Sequence, residues 1–113
     1  MDNCIFCKIA TGEIPATVVY QDDQTVVFRD INPIAPVHLV VIPRRHVATL
    51  NDFGQDLATQ GAMLHAAAQA ARVTGMAETG YRVVFNVNRG AGQEVFHVHA
   101  HIIGGRNLGW PPG

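Results

Sequence analysis

Apolar positions along this chain recur with two different periods, and the switch between them marks out its elements. Val18 to Gln21 and Val26 to Asp30 are β-branched and aromatic runs split by the polar turn Asp22-Asp23-Gln24, which predicts a hairpin. Asn32-Pro33-Ile34-Ala35-Pro36 interrupts the pattern before His38 to Ile42, a continuous apolar run of strand length closed by Pro43. From about Asp52 to Thr74 the period changes. Leu57, Met63, Leu64, Ala67, Ala68, Ala71 and Val73 then fall mostly on one face of a long helix. Gly75 and Gly80 bound the passage to a fourth strand, Tyr81 to Val87, in which Val83 and Phe85 alternate with Arg82 and Asn86. A glycine-containing loop, Asn88 to Glu94, leads into a fifth strand over about Val95 to Ile103. Ahead of all this, residues 1–16 read as a short helical or looped lead-in whose Ile5, Phe6, Ile9 and Ile14 pack down. The tail, Leu108 to Gly113, with Pro111 and Pro112, reads as an extended arm. Strands, helix, strands is the order of an α+β fold with about five strands in a mainly antiparallel sheet.

Composition narrows the partners. At 113 residues and 48% hydrophobic, the chain suits one compact domain over residues 1–113. The net charge of -1 and the scattered Lys and Arg residues give no arm for nucleic acid or an anionic membrane, so small molecules or a second copy are the expected partners. Met1 to Cys4 lacks a basic stretch followed by an apolar run, and no apolar run approaches ~18 residues, which leads us to expect a soluble, cytoplasmic protein. Cys4 and Cys7 form one C-x-x-C, which in a reducing compartment points to metal binding or redox work before a structural disulfide.

The chemistry concentrates at His97-Val98-His99-Ala100-His101. If the run is a strand, alternation puts the three imidazoles on one face and Val98, Ala100 and Ile102 on the other, apolar one. Two chemistries fit. Neutral imidazoles two residues apart can share a metal ion. Alternatively, one imidazole attacks phosphorus while a neighbour stabilises charge on the phosphoryl oxygens.

His97-Val98-His99-Ala100-His101-Ile102-Ile103 resembles the H-φ-H-φ-H-φ-φ signature (φ hydrophobic) of the histidine triad family. Cys4 to Ile9, Glu13 to Pro15, Phe28 to Ile31, Pro36 to His46, Gly92-Gln93 and Trp110 to Gly113 resemble its Hint branch, in family order and spacing, so nearly the whole chain is covered. The resemblance implies hydrolysis of the bond between the α-phosphorus of a purine nucleoside monophosphate and an amine, with no organic cofactor. It makes the middle histidine, His99, the nucleophile, with a nucleotidylated His99 that water resolves. It places His101 on the phosphoryl oxygens, and gives His38 the part of a histidine that buttresses the triad. It also implies a homodimer joined through the long helix and the strand Tyr81 to Val87, with Trp110 reaching the partner's pocket.

The same resemblance assigns the nucleotide. Asp30 would accept hydrogen bonds from the ribose hydroxyls, though an Asp at a strand end is by itself a common turn residue. Ile9, Phe28 and Ile31 would wall the base, a part that overlaps with ordinary core packing. Asn86, Gly92 and Gln93 match phosphate and ribose contacts, and Gly90 and Gly92 suit a loop that offers amide hydrogens to an anion. Glu94 departs from the hydroxyl residue that many animal members carry. A carboxylate beside a phosphate repels it unless protonated or turned toward the leaving group, so Glu94 is expected to govern which leaving groups are tolerated. In relatives that keep the C-x-x-C, a histidine at the position of His46 and the first triad histidine complete a structural zinc site, here Cys4, Cys7, His46 and His97. His65 reads as an ordinary helix residue, and Arg44 and Arg45 as either phosphate-side cations or a solvated basic pair. Competing readings are hydrolysis of dinucleoside polyphosphates, a non-catalytic nucleotide-binding protein, and a triad that is itself a catalytic metal centre.

Overall fold

The computed structural model describes residues 3–113. Met1 and Asp2, which open the predicted lead-in and the predicted domain, lie outside the described residues. A short helix α1 (Ile5–Thr11) precedes strands β1 (Val18–Gln21), β2 (Thr25–Arg29) and β3 (Val37–Pro43). The long helix α2 (Leu57–Val73) follows, then β4 (Tyr81–Phe85) and β5 (Ala100–Gly104). Every neighbouring pair is antiparallel, in the order β1-β2-β3-β5-β4. The expected α+β architecture, with five strands, one long helix and a short N-terminal one, is what these residues build.

Local chemistry explains the boundaries. Cys4 caps α1 through its thiol, which accepts from the Cys7 amide, and Gly12 ends the helix at φ 83°, where a Cβ would be strained. In the β1–β2 turn, Asp22 Oδ1 accepts from the Gln24 amide, the Thr25 amide and the Thr25 hydroxyl, all within 2.9 Å. The carboxylate of Asp56 accepts from the Thr59 amide and so starts α2 five residues later than the periodicity suggests. No helix among the described residues is long and apolar enough to cross a membrane.

β3 is buried on both faces because a helix covers each side of the sheet. On one side Val27, Leu39, Val41, Val98, Ala100 and Ile102 pack with α2. On the other, Val26, Phe28, Val40 and Ile42 pack with Phe6, Ile9 and Ala10 of α1. Each large aliphatic side chain so buried contributes about 1.5–3 kcal/mol.

Three expectations are corrected. The buried stripe of α2 is Thr59, Met63, Ala66, Ala67, Ala70 and Ala71, while Leu57, Leu64 and Val73 face outward. Small side chains let the helix lie close to the sheet, so its larger residues are displaced to the flank. β4 stops at Phe85 and is an edge strand paired only with β5, which leaves Val83 partly exposed. β5 begins at Ala100 instead of Val95. Ile42 and Pro43 of β3 lie opposite His99 and Val98 by register, but the chain bends at residues 95–97 and the Val98 amide donates to Val47 O at 2.6 Å in place of a ladder bond. His97 and His99 therefore precede the strand, and only His101 lies within it.

Candidate active site

His38 on β3 and His101 on β5 emerge on the α1 side of the sheet, since Val40 pairs with His101 and shares its face with His38. His99 arrives beside them from the approach to β5, with ring centroids 5.1 Å apart for His99 and His101. Phe6 of α1 roofs the group, its ring edge-on to His99 at 5.0 Å, to Phe28 at 5.7 Å and to His97 at 6.0 Å.

Hydrogen bonding fixes which ring nitrogen carries each proton. The carbonyl of His97 can only accept, so His99 Nδ1, 2.8 Å away, is the protonated nitrogen and Nε2 keeps its lone pair. That Nε2 has no protein partner, and no buried side-chain nitrogen or oxygen among the described residues lacks one, so it opens to the pocket His99 lines. The Ile34 amide donates to His38 Nδ1 at 3.1 Å, which leaves the His38 proton on Nε2 to donate to His101 Nδ1 at 2.8 Å. His101 in turn carries its proton on Nε2. Two faces of opposite character result: a lone pair on His99 and an N–H donor on His101. Burial pushes the His99 imidazole below its ordinary range and His101 down to about 4, where the neighbouring His99 and His38 add to the effect. Both rings are therefore neutral near pH 7.

Two connected hollows surround these rings. The smaller, about 280 Å³, is lined by Asn86, Gly92, Glu94, Val95, His99 and His101. The larger, about 550 Å³, is walled by Ile5, Ile9, Ile14, Phe28 and Ile31. Phe6, Asp30 and Val40 line both, so the two form one apolar-to-polar cleft of a size that suits a small ligand. Asp30 stands at the junction, its Oδ1 accepting from the Asn32 amide at 2.8 Å and its Oδ2 lying 3.4 Å from His38 Nε2. Ile31 is 91% exposed and forms the open rim.

Of the residues singled out in the sequence, Ile9, Phe28, Asp30, Ile31, Asn86, Gly92, Glu94, His99 and His101 converge on this cleft. Gln93 does not. Its buried amide accepts from the Asn88 amide and donates to Ala48 O and Val95 O, so it holds the loop instead of facing a ligand. Of the two glycines expected to offer amides to an anion, Gly92 does not, because its amide bonds to Arg89 O, and the neighbouring Ala91 and Gln93 amides also bond within the loop. Gly92 is needed for its φ of 82°, since a Cβ there would meet nothing within 4 Å. Arg44 donates to Asp22 O, Ala10 O and Gln21 Oε1, tying α1 to the hairpin, while Arg45 pairs with Asp56 on the surface. Sequence reasoning missed Ile5, Phe6, Ile14, Val40 and Val95 among the lining residues. Phe6 had the one available signal, an aromatic in the lead-in beside the cysteines.

His97 turns away from the cleft. Its Nε2 donates to Pro43 O at 2.8 Å, which directs the Nδ1 lone pair to Cys4 Sγ at 3.3 Å and Cys7 Sγ at 3.5 Å. His46 Nδ1 lies 3.3 Å from Cys7 Sγ, and all four ligand atoms fall within 4.8 Å of one another. A tetrahedral zinc with bonds of about 2.3 Å to sulfur and 2.0–2.1 Å to nitrogen separates neighbouring S and N ligands by roughly 3.5 Å. The two thiols and two ring nitrogens fit such an ion, and the Pro43 carbonyl is the outer partner that a ligating histidine requires.

A family model described as "HIT domain" matches residues 11–108, which leaves Cys4, Phe6 and Cys7 outside the match. A purine nucleoside phosphoramidase of Escherichia coli (strain K12) is 47% identical over 109 residues, 96% of this chain and 92% of the relative. A 14 kDa zinc-binding protein of Zea mays is 41% identical over 122 residues, covering 96% of this chain and 87% of its own. Among solved structures, a HIT family hydrolase from Legionella pneumophila superposes with a TM-score of 0.94 at 54% identity, covering 98% of this chain and 100% of that one.

Proposed function

Because the chain belongs to the HIT domain family, we propose that it is a hydrolase cleaving the P–N bond of purine nucleoside phosphoramidates through a nucleotidylated His99. The observation that carries this reading is the His99 imidazole, its proton held on Nδ1 by the His97 carbonyl and its Nε2 lone pair open to the cleft. Nε2 attacks the α-phosphorus, the P–N bond breaks, and its electron pair leaves with the amine, which takes up a proton. Water then attacks the nucleotidyl-histidine, releasing the nucleoside monophosphate and regenerating the neutral ring. His101 offers its Nε2–H to the phosphoryl oxygens as their charge grows, and His38 fixes that donor through its own hydrogen bond. Asp30 takes the ribose hydroxyls, and Ile9, Phe28 and Ile31 take the base. Asn86, Gly92 and Glu94 face the phosphate and the leaving amine, while Gln93 serves by shaping the loop. The similarity to an Escherichia coli purine nucleoside phosphoramidase supports the substrate class.

Cys4, Cys7, His46 and His97 are read as ligands of a structural zinc, which would cross-link the lead-in to the catalytic segment. The name of the Zea mays relative supports this. The exposed Leu57, Leu64 and Val73 of α2, the β4 edge and the apolar hollow lined by Leu50, Phe53, Met63 and Phe85 support a homodimer through that side. Free thiols paired for a metal suit a cytoplasmic protein acting as one domain over residues 1–113.

Single-turnover mixing with radiolabelled adenosine phosphoramidate tests the central claim. Label is expected on His99 before the monophosphate is released. Turnover without any labelled protein, or label retained in His99→Asn, would overturn it.

A further inference from the structure

His97 carries three commitments at once. Its Nδ1 faces the two thiols, its Nε2–H is held by Pro43 O, and its own carbonyl holds the Nδ1–H of His99, each ring nitrogen contact lying between 2.8 and 3.5 Å. The carbonyl that sets the tautomer of the nucleophile therefore belongs to a residue whose side chain sits among the putting-together of thiols and imidazoles just described. We propose that Cys4, Cys7 and His46 are positioning residues for the reaction: by anchoring the His97 side chain they aim its carbonyl at His99. The proposal rests on the zinc reading above and goes beyond its scaffold role.

The backbone here makes the anchoring necessary. β5 starts only at Ala100, so no ladder of strand hydrogen bonds orients the peptide planes at 97–99. Among the described residues, the Val98 amide bond to Val47 O is the backbone tie of that stretch; it holds the peptide unit that also carries the His97 carbonyl, and its acceptor belongs to the residue that follows His46. The rest of the fixing comes from side chains. His97 is fully buried, so it has no water to replace a lost partner. Residues 43–48 act as a rail beside it: Pro43 O takes the His97 ring proton, His46 supplies a ligand nitrogen, Val47 O takes the Val98 amide, and Ala48 O takes Gln93. With the ligand set engaged, the rail and residues 97–99 are joined at both ends of His46. With it disengaged, His46 no longer ties Val47 O to the His97 ring, and the peptide unit that carries the His97 carbonyl, held then by Val47 O and Pro43 O alone, can tilt.

The consequence is specific to His99. An imidazole without a fixed partner exchanges its proton between the two nitrogens, and the bond made by one nitrogen decides the state of the other. If the His97 carbonyl tilts away, Nε2 becomes protonated in part of the population and loses the lone pair needed for attack. The walls of the base and ribose cleft have their own support, since Arg44 holds Ala10 O and Phe6, Ile9 and Ala10 pack on Val26, Phe28, Val40 and Ile42. The loss therefore falls on kcat and spares KM.

Tautomers are read directly by long-range proton–nitrogen NMR on protein carrying 15N-histidine, in the zinc-loaded form, after chelation, and in His46→Asn and Cys7→Ser. Zinc-loaded protein is expected to show His99 protonated on Nδ1 alone. Chelated protein and both variants should show a mixture with Nε2–H, with kcat reduced about tenfold or more and KM within about twofold. Added zinc should restore the chelated wild type and not Cys7→Ser. A metal-free, folded protein whose His99 tautomer and kcat match the loaded form overturns the proposal, and so does global unfolding on chelation, which leaves the metal a scaffold only. Fewer than one zinc per chain in metal analysis of the purified protein instead sinks the zinc reading itself, so the two failures are distinguishable. Should Cys7→Ser fail to fold, His46→Asn, altered at a half-buried ligand, carries the comparison.

Discussion

Along residues 97–102 two sets of side chains interleave and meet opposite surroundings. Val98, Ala100 and Ile102 enter the α2 core, and His97, His99 and His101 turn to the α1 side. Exposure does not distinguish them, for Ile102 and His97 are both 0% exposed and His99 only 8%. Partnership does. The apolar set is satisfied by contact alone, whereas each buried imidazole nitrogen needs a named acceptor or donor. The nitrogens left over, Nε2 of His99 and Nε2 of His101, share one hollow, and it is there that the proposed function puts the reaction.

The comparison can be broken first at its most reactive point. His99→Asn is expected to reduce kcat by at least about a thousandfold while the thermal midpoint stays close to that of the wild type. A large drop in the midpoint would mean that His99 is a packing residue after all. The opposite face should answer in the opposite way: Ile102→Ala leaves a cavity beside α2 and costs about 2–5 kcal/mol in denaturant unfolding, with kcat of the folded protein changed only a few-fold. Loss of activity without loss of stability there would erase the distinction between faces.

Acid sharpens it next. His101 titrates at about 4 in the fold against an ordinary 6.5, so the unfolded chain takes up its proton first as pH falls. The unfolded state binds more protons in that window, and the linkage sign makes stability fall from pH 6.5 down to about 4 and recover above. His99, also lowered by burial, pulls the same way. Urea midpoints measured across this range check the slope, and His101→Gln should flatten it. The smallest effect is expected at Glu94, exposed at the mouth of the hollow: Glu94→Ser should shift relative kcat/KM among adenosine phosphoramidates of cationic, neutral and carboxylate-bearing amines by a few-fold. An unchanged profile would remove Glu94 from leaving-group selection.

Much of this was legible in the chain. Turn residues bracketed the first three strands, and alternation through Val98, Ala100 and Ile102 correctly placed the apolar face opposite the histidines. What escaped depended on partners distant in sequence. The start of β5 is set by the bend at residues 95–97 and by the Val98 amide turning to Val47 O, a partner that residues 95–99 do not encode. The inward face of α2 is chosen by closeness to the sheet, so alanines won over Leu57 and Leu64. Gln93 is polar and lies next to Gly92, which reads as a ligand contact until Ala48 and Asn88 are seen to use its amide. The tautomers could not be read from the chain at all, since they hang on the Ile34 amide and the carbonyls of Pro43 and His97.

That last carbonyl bears on how such a catalyst changes over generations. The acceptor that readies His99 belongs to the main chain, so no codon change at position 97 can delete it. Mutation can only redirect it, through the side chains that hold residue 97 in place. Variation among descendants of this sequence is thus expected to grade catalytic speed through neighbours of the acceptor, in small heritable steps, before it ever abolishes the bond outright.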